Sequence, residues 1–466
     1  MSRVVVGGGG IAGLSTAWML KARDPRMEVI VLDSASRPGG NIRTQRIGGY
    51  LCESGPDGFL DNAPATLALV HALDLRDRLQ PSNDAARRRF IFRSNQLHEV
   101  PASPRGILTT RLLTTRGKLR LALEPFAARR QDDDESIHRF AERRIGGEAA
   151  TVLVGSMVSG IFAGDARALS LRACFPRMRE LEDVHGSLLR ALVATRRTRT
   201  KKDVAGAPAG RLTSFTGGMS DLIDGLCSKL SGSVRTNTPV LSVQKRDPTG
   251  SSSARYTVIT PGGSLEADAV VLAGPSSASS RMVRDLDPEL AGRLAQIQAA
   301  PLAVVSLGYD AQAVTVCDGL RGFGFLAPRD QGVRILGTLW ETSIYPHRAP
   351  PGKVLLRVMV GGACDRDAVA LDDEQLVHAV RLDLASTMGV TAPPEFVHIV
   401  RHTVGIPQYV TGHVSLLRQI EERAARHPGM HLAGNSYRSP SVNACVAEAD
   451  RIAAAVITQL AAHVPR

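Results

Sequence analysis

The sequence predicts an α/β fold with a parallel-sheet, dinucleotide-binding core, and three observations predict it. Val4-Val5-Val6 is a short apolar run that passes into Gly8-Gly9-Gly10-Ile11-Ala12-Gly13. A helical pattern follows, and Glu28-Val29-Ile30-Val31-Leu32 forms a second apolar run closed by Asp33. Much later, Ala269-Val270-Val271-Leu272-Ala273-Gly274-Pro275 repeats the strand-into-glycine form expected of a buried parallel strand.

The first of these segments has the form of a dinucleotide-binding strand–turn–helix. Gly8 allows the tight turn, Gly10 lets the backbone approach a pyrophosphate, and Gly13 lets helix and strand pack closely. A helix starting near Ile11 and Ala12 points free N–H groups and the positive end of its dipole at the phosphates. Asp33, twenty residues beyond Gly13 and followed by Ser34, is placed to accept hydrogen bonds from a ribose diol. Glycines alone would fit any tight turn. The strand before them, the helix after and the acid at this spacing select the dinucleotide reading.

Arg37-Pro38-Gly39-Gly40-Asn41-Ile42-Arg43-Thr44 comes next, and then Glu53-Ser54-Gly55-Pro56-Asp57. An Arg and a Gly pair directly after the ribose acid resemble the second cofactor motif of FAD enzymes of the amine-oxidase type. The resemblance implies a bound, non-covalent FAD, touched by Arg37, Gly39, Gly40, Asn41, Gly55, Pro56 and Asp57. No His or Cys stands where such enzymes tether a flavin.

Further along, residues 86 to about 205 read as helical and basic, with amphipathic stretches over Ile107–Phe126 and Ser136–Val158. Thr195–Gly210, rich in Arg, Lys, Ala and Gly, reads as a solvated loop. Ser214–Met219 leads a helix, and Val234–Lys245, which includes Val240, and Ala254–Thr260 are strand-like. Ala303–Leu307, Val354–Val360 and Phe396–His402 are strands of a second sheet, and a closing helix runs from about 440 to 461. The expected division is a Rossmann-like FAD-binding domain from 1–85, 212–275 and 400–466, a helical inserted domain over 86–211, and a mixed-sheet substrate domain over 276–399. A chain that returns repeatedly to one domain suits a pocket at the seam.

Composition narrows the class. The chain has 466 residues, 43% hydrophobic and 22% charged, in the range of soluble globular proteins. It has no apolar stretch long enough for a membrane span and no signal-peptide anatomy, so a cytoplasmic location is expected. The six cysteines lack a C-x-x-C pair and read as reduced thiols, and the twelve histidines lack metal-ligand spacing. No metal is expected. The net charge of +12 is concentrated in Arg87-Arg88-Arg89, in Arg105, Arg111, Arg116, Lys118, Arg120, Arg129 and Arg130, and in Arg196, Arg197, Arg199, Lys201 and Lys202. No aromatic-interleaved basic motif accompanies it, which argues against nucleic acid. An anionic membrane surface, which would give a peripheral station on the inner face of the cell membrane, remains open. So do steering of an anionic substrate and a plain solvated face.

The remaining segments resemble, over almost the whole chain, the FAD-dependent protoporphyrinogen oxidase family and its coproporphyrinogen-oxidising sister. They are Ser159-Gly160-Ile161-Phe162-Ala163-Gly164-Asp165, Gly322-Phe323-Gly324-Phe325-Leu326, Gly405-Ile406-Pro407-Gln408-Tyr409 with Gly412-His413, and Gly434-Asn435. The resemblance implies an oxidase that takes electrons from a porphyrinogen into FAD and passes them to O2. No side chain need be catalytic, because the cofactor carries the redox step. It also implies Arg89 as a propionate-binding cation, and Gly160, Ala163, Phe323, Gly324, Leu326 and Met359 as the pocket wall. Arg87–Arg89 fits a solvated basic corner too, and Met359 fits a strand core equally well. A homodimer is compatible with the family.

The third flavin motif departs from the family pattern. Gly434-Asn435 is followed by Ser436-Tyr437-Arg438-Ser439-Pro440-Ser441-Val442-Asn443-Ala444, with serines in place of two glycines and Ala444 in place of Asp. Gly58 likewise replaces a Ser. Ser439 is expected to N-cap the last helix with Pro440 as its first residue, starting that helix early and leaving Gly434, Ser439 and Val442 at the flavin. Two alternatives stay open beside porphyrinogen oxidation. One is a specialised oxidase of another amine or pyrrolic substrate, and the other is a non-catalytic flavin- or tetrapyrrole-binding protein.

Overall fold

The parallel sheet begins with the chain and is completed at its end. In the computed structural model, which describes residues 2–128, 132–198, 210–246 and 254–462, strand Arg3–Gly7 pairs in parallel with Glu28–Leu32 and with Ala269–Leu272. Val234–Arg235 and Met430–Leu432 add the two edges, giving five parallel strands among the described residues. The strands are apolar on both faces because helices cover both. Leu14, Ala17 and Leu20 of helix Ile11–Arg23, with Val446, Ile452 and Val456 of helix Val442–Ala461, bury one face against Val4, Val6 and Val31. Leu290 and Leu294 of helix Pro288–Ala295 cover the other against Val5, Ile30 and Leu32.

A seven-stranded mixed sheet forms the second layer system. Its order is Phe396–Pro407, Ala299–Asp310, Lys353–Gly361, Ile335–Trp340, Gly324–Leu326, Phe90–Arg93, Gln96–Glu99. Strand residues alternate faces. Val305, Leu307, Val358 and Val360 pack under Leu376, Val380 and Leu384 of helix Asp373–Met388. Arg357 and Met359 point the opposite way, toward the cofactor-binding side.

The structure moves two of the expected domain boundaries. Residues 90–99, expected in the helical insert, form a hairpin on the mixed sheet, paired Phe90↔Glu99 to Arg93↔Gln96. Its turn residues, Ser94 and Asn95, both take positive φ (51° and 58°), which suits the twist of a two-residue hairpin loop. Residues 276–297, expected in the substrate domain, pack on the parallel sheet instead, through Val283, Leu290 and Ile297. Val234–Lys245 is also interrupted. Its end, Ser242–Lys245, belongs to a separate antiparallel sheet with Tyr256–Thr260 and Gly263–Ala267.

Between the hairpin and strand Leu212–Phe215 lies the helical insert. Ile107–Phe126 is two short helices, Pro104–Thr109 and Thr115–Ala122, followed by a 3-10 turn Glu124–Phe126. Helix Ile137–Ile145 is followed by a π-helical stretch, Ala150–Gly155, and helix Ser156–Phe162. Helix Leu188–Thr198 carries the first residues of the stretch read as a loop from Thr195, and residues 199–209 lie outside the described residues.

Candidate cofactor and substrate site

Strand Arg3–Gly7 delivers the chain to the first glycine motif, where two glycines are fixed by the protein and one is not. Gly8 has φ +118°, and a Cβ there would meet the Ala273 and Gly274 backbone at 2.9 Å. A Cβ on Gly13 would lie 2.0 Å from the Gly8 carbonyl oxygen, so the helix can sit on the strand only with glycine. At Gly10 a Cβ would meet nothing nearer than the Gly40 Cα at 4.0 Å. Gly10 therefore borders open space that a side chain would fill. It is also the N-cap of helix Ile11–Arg23, with no side chain capping the first-turn N–H groups of Ile11, Ala12 and Gly13. Uncapped donors beside a vacated Cβ position fit a pyrophosphate.

Asp33, at the end of the second strand, is buried and oriented by backbone donors. Its Oδ2 accepts from Gly9 N–H at 2.7 Å and its Oδ1 from Ala35 N–H at 2.8 Å. Each oxygen keeps a lone pair for a diol hydroxyl. Ser34 next to it is exposed. Val240 packs its Cγ2 3.4 Å from where a Gly7 Cβ would stand, on the adjoining wall.

The second motif docks onto the first through the main chain. Gly10 and Gly39 form a parallel bridge, and Gly39 N–H donates to the Gly9 carbonyl at 2.7 Å. Arg37 donates to Ser220 Oγ at 3.0 Å, and Ser220 Oγ also accepts from Thr44 N–H at 2.7 Å. Gly55 is pressed against Asn41, whose carbonyl oxygen lies 2.0 Å from a Cβ placed on Gly55. Asp57 turns its carboxylate to the Arg348 and Arg357 guanidiniums (3.3 Å to Arg357).

That turn exposes a feature the sequence reading missed. Glu53, Asp57 and Glu341 surround Arg348 and Arg357, and none of the five side chains is more than 9% exposed. Burial drives the Glu53 carboxyl up to about 7 and also raises Glu341. Asp57 is held low: burial opposes ionisation there, but Arg348 and Arg357 outweigh it. Glu53 and Asp57 stand in the Glu53–Asp57 segment already singled out, and Arg357 is the one charge inside Val354-Leu355-Leu356-Arg357-Val358-Met359-Val360. His402 adds a bond from the sheet edge, its Nε2–H donating to the Ser54 carbonyl at 2.7 Å, and desolvation lowers its pKa.

The third motif is anchored from the segment that follows strand Phe396–Pro407. Tyr409 donates its hydroxyl hydrogen to the Asn435 carbonyl, and His413, stacked on Tyr409 at 4.4 Å, donates to the Tyr437 carbonyl at 2.8 Å. Gln408 meanwhile donates to the Phe162 carbonyl at 2.8 Å. The Gln408–His413 segment thus ties the Gly160–Asp165 turn to Gly434–Tyr437. The start of the last helix differs from expectation. Ser441, not Ser439, is the N-cap, its Oγ accepting from Ala444 N–H at 3.2 Å, and the helix begins at Val442. Pro440 stays outside because Ser441 has the better register for the N3 donor. Ser439 Oγ meets the Ser441 hydroxyl at 3.3 Å and accepts from Ser441 N–H at 3.5 Å. Val442 is buried in the core beside the parallel sheet.

The expected pocket-wall residues fall in two places, Ala163 and Met359 in one apolar cluster and Phe323 in another with Ala86, Ile344 and Tyr345. A Cβ on Gly160 would lie 2.6 Å from Leu326 Cδ2, so helix Ser156–Phe162 rests on strand Gly324–Leu326. Ala163 ends that helix in the left-handed conformation (φ 46°) and clusters with Leu302, Val304, Leu336 and Met359. Gly324 has a different reason from ligand approach. With φ +131°, its Cβ would lie 2.0 Å from the Thr338 carbonyl oxygen of the paired strand. Phe323 lies under Arg89, whose guanidinium carbon is 5.2 Å from the ring centre. Among the described residues no carboxylate pairs with Arg89, and the surrounding protein lowers its pKa. Its neighbours are engaged, Arg87 with Asp84 and Arg88 with Glu99.

The profile of flavin containing amine oxidoreductases matches residues 11–457. The chain is 33% identical to the chloroplastic protoporphyrinogen oxidase of Oryza sativa subsp. japonica over 95% of its own length and 85% of that protein. It is 29% identical to the coproporphyrinogen III oxidase of Bacillus subtilis, covering 98% of both. The crystal structure of an Exiguobacterium sp. 255-15 protein superposes with a TM-score of 0.84 at 28% identity, over 99% of both chains.

Proposed function

The chain belongs to the flavin containing amine oxidoreductase family and is an FAD-dependent oxidoreductase, and from that premise we propose that it oxidises a porphyrinogen to the porphyrin with O2 as acceptor, in haem synthesis. The observation that carries the reading is Arg89, an exposed cation without a carboxylate partner among the described residues, set over Phe323, on a chain that also joins Gly160 to Leu326 and Ala163 to Met359 in apolar contacts. A tetrapyrrole with carboxylate side chains needs that pairing of an apolar wall and a fixed cation. A guanidinium accepts a carboxylate in bidentate geometry, which fixes the macrocycle edge.

Bound at the two glycine motifs, FAD supplies the electron acceptor. The chain's own residues bind, orient and exclude water. The uncapped turn at Ile11–Gly13 receives the pyrophosphate, Asp33 the ribose, and the Gly39–Gly40 backbone closes over Gly10. The apolar wall keeps solvent from the ring that is oxidised, and Arg89 sets which edge enters. Protoporphyrinogen IX and coproporphyrinogen III are the two substrates to compare, reading oxygen uptake and porphyrin fluorescence. Turnover of neither, by protein loaded with FAD, would overturn the reading.

One observation favours a second reading, an oxidase of another amine or pyrrolic substrate on the same fold. The Ser441 hydroxyl occupies a first-turn N–H of the last helix, and Asn443 Nδ2 donates to the Leu60 carbonyl at 2.9 Å. Both engage groups at the helix end that the resemblance turns toward the flavin.

A further inference from the structure

We propose that Arg348 is a positioning residue for the cofactor, locking the second glycine motif and the Gly55–Asp57 loop to the mixed sheet through a buried chain of polar contacts. The inference rests on FAD binding and is independent of which substrate is oxidised.

One guanidinium gathers three segments. Arg348 Nη1 bonds Glu341 Oε2 at 2.5 Å and the Asp57 carboxylate. Its Nη2 reaches the Asp57 carbonyl and Ser214 Oγ, both at 3.1 Å, and Glu53 Oε1 at 3.5 Å. The side chain is 0% exposed. Glu53 carries the contact onward, accepting from Met219 N–H and from the Thr44 hydroxyl, both at 2.8 Å. Thr44 Oγ1 accepts in turn from Ser220 N–H at 2.9 Å, and Ser220 Oγ holds Arg37. The path therefore runs from the mixed sheet to the residue that opens the second cofactor motif. Arg357 runs beside it, donating to the Gly55 carbonyl.

Stability alone is a weak reason for such a cluster. Desolvating buried ions offsets most of their mutual attraction, and apolar side chains of similar volume often hold a core as well. What ions and hydroxyls add is direction, since each oxygen takes a particular donor and fixes a loop to hydrogen-bond tolerance. Three carboxylates face two guanidiniums, so one proton is needed for neutrality. Burial raises the Glu341 carboxyl, while Arg348 and Arg357 hold that of Asp57 low.

The test strips FAD from the purified holoenzyme and titrates it back, following quenching of flavin fluorescence, for wild type, Arg348→Lys, Thr44→Val and Thr44→Ser. Melting temperatures are taken with and without FAD. Arg348→Lys keeps the charge but loses the fork, and Thr44→Val keeps the shape but loses the hydroxyl. Each is expected to weaken the FAD dissociation constant ten-fold or more, with a larger drop in the melting temperature of the FAD-bound form than of the stripped chain. Thr44→Ser is expected to restore binding. A dissociation constant within two-fold of wild type in Thr44→Val, or equal losses of melting temperature with and without FAD, would overturn the proposal. Should Arg348→Lys fail to fold, the Thr44 pair decides alone. Failure to oxidise any porphyrinogen would leave this outcome unchanged.

Discussion

Arg89 stands over the Phe323 ring with its guanidinium carbon 5.2 Å from the ring centre, while Arg88 beside it is paired with Glu99 at 3.0 Å. The ring face holds a cation without neutralising it. Arg89→Ala is therefore expected to lower kcat/KM by roughly 30-fold or more, since losing one partner of a charge pair costs about 2–5 kcal/mol. FAD content should be unchanged. Steady-state kinetics of Arg87→Ala and Arg88→Ala provide the comparison. Equal losses in all three would mean a diffuse basic field and no anchoring residue.

Gly10 and Gly13 should fail in different ways. A methyl on Gly13 meets the Gly8 carbonyl oxygen at 2.0 Å, so helix and strand must part. Gly13→Ala is expected to destabilise even the FAD-free chain, by about 1–3 kcal/mol. Gly10 has φ −75° and open space at its Cβ, so Gly10→Ala should change the stripped chain by under about 1 kcal/mol. It should nonetheless weaken FAD, because the methyl stands where the pyrophosphate approaches. Urea unfolding with and without FAD separates the two. Loss of stability in stripped Gly10→Ala would show that its glycine serves packing.

The basic insert is expected to bind anionic vesicles reversibly. Arg105, Arg111 and Arg116 are exposed beside Leu108 (70%), Leu119 (64%) and Phe126 (81%), a combination suited to lying on a headgroup surface. Arg120 does not take part, because it donates to the Arg143 and Arg144 carbonyls. Arg129, Arg130, Arg199, Lys201 and Lys202 lie outside the described residues, as do the side chains of Arg196 and Arg197. No helix among the described residues is long and apolar enough to cross a membrane. Sedimentation with anionic vesicles should fall at high salt and fall again in Leu119→Ser/Phe126→Ser. Equal binding to neutral vesicles would refute the electrostatic part.

Ser441→Ala is expected to cost about 1 kcal/mol, the worth of a helix cap, while Ser439→Ala should cost little. Thermal unfolding of the two variants checks the order. The reverse order would return the cap to Ser439 and start the helix at Pro440.

Local chemistry made much of this legible. The Gly8–Gly13 turn, the Asp33 spacing and the apolar strands are short-range patterns, and the structure places them as read. The hairpin at Phe90–Glu99 was hidden because Ser94-Asn95 lacks the glycine that usually signals positive φ. The Arg348 cluster could not be read as a cluster, although Glu53 and Asp57 stood in a motif. Residues as far apart as 53 and 348 become neighbours only when a loop packs on a sheet. Gly324 shows the opposite case, a glycine whose need was visible but whose cause was the neighbouring strand.

Glu53 should give the protein a pH dependence of unusual sign. Its carboxyl is raised mainly by burial to about 7 from an ordinary 4.5, against the pull of Arg348. The folded state therefore binds a proton that the unfolded chain has released between those values. The resulting contribution is full below the unfolded pKa and is lost as pH rises through 7, on the order of 1–3 kcal/mol. Buried His413 and half-buried His398, His402 and His431 act oppositely, since desolvation lowers their pKa and favours the fold as pH rises through the ordinary histidine range. The comparison that isolates Glu53 is thus wild type against Glu53→Gln, in urea, at pH 5.5, 7 and 8.5. The amide mimics the protonated acid, so the variant should gain on wild type steadily as pH rises. A constant gap across the three pH values would show that Glu53 is ionised throughout, held by Arg348 and the Thr44 hydroxyl more strongly than burial opposes it.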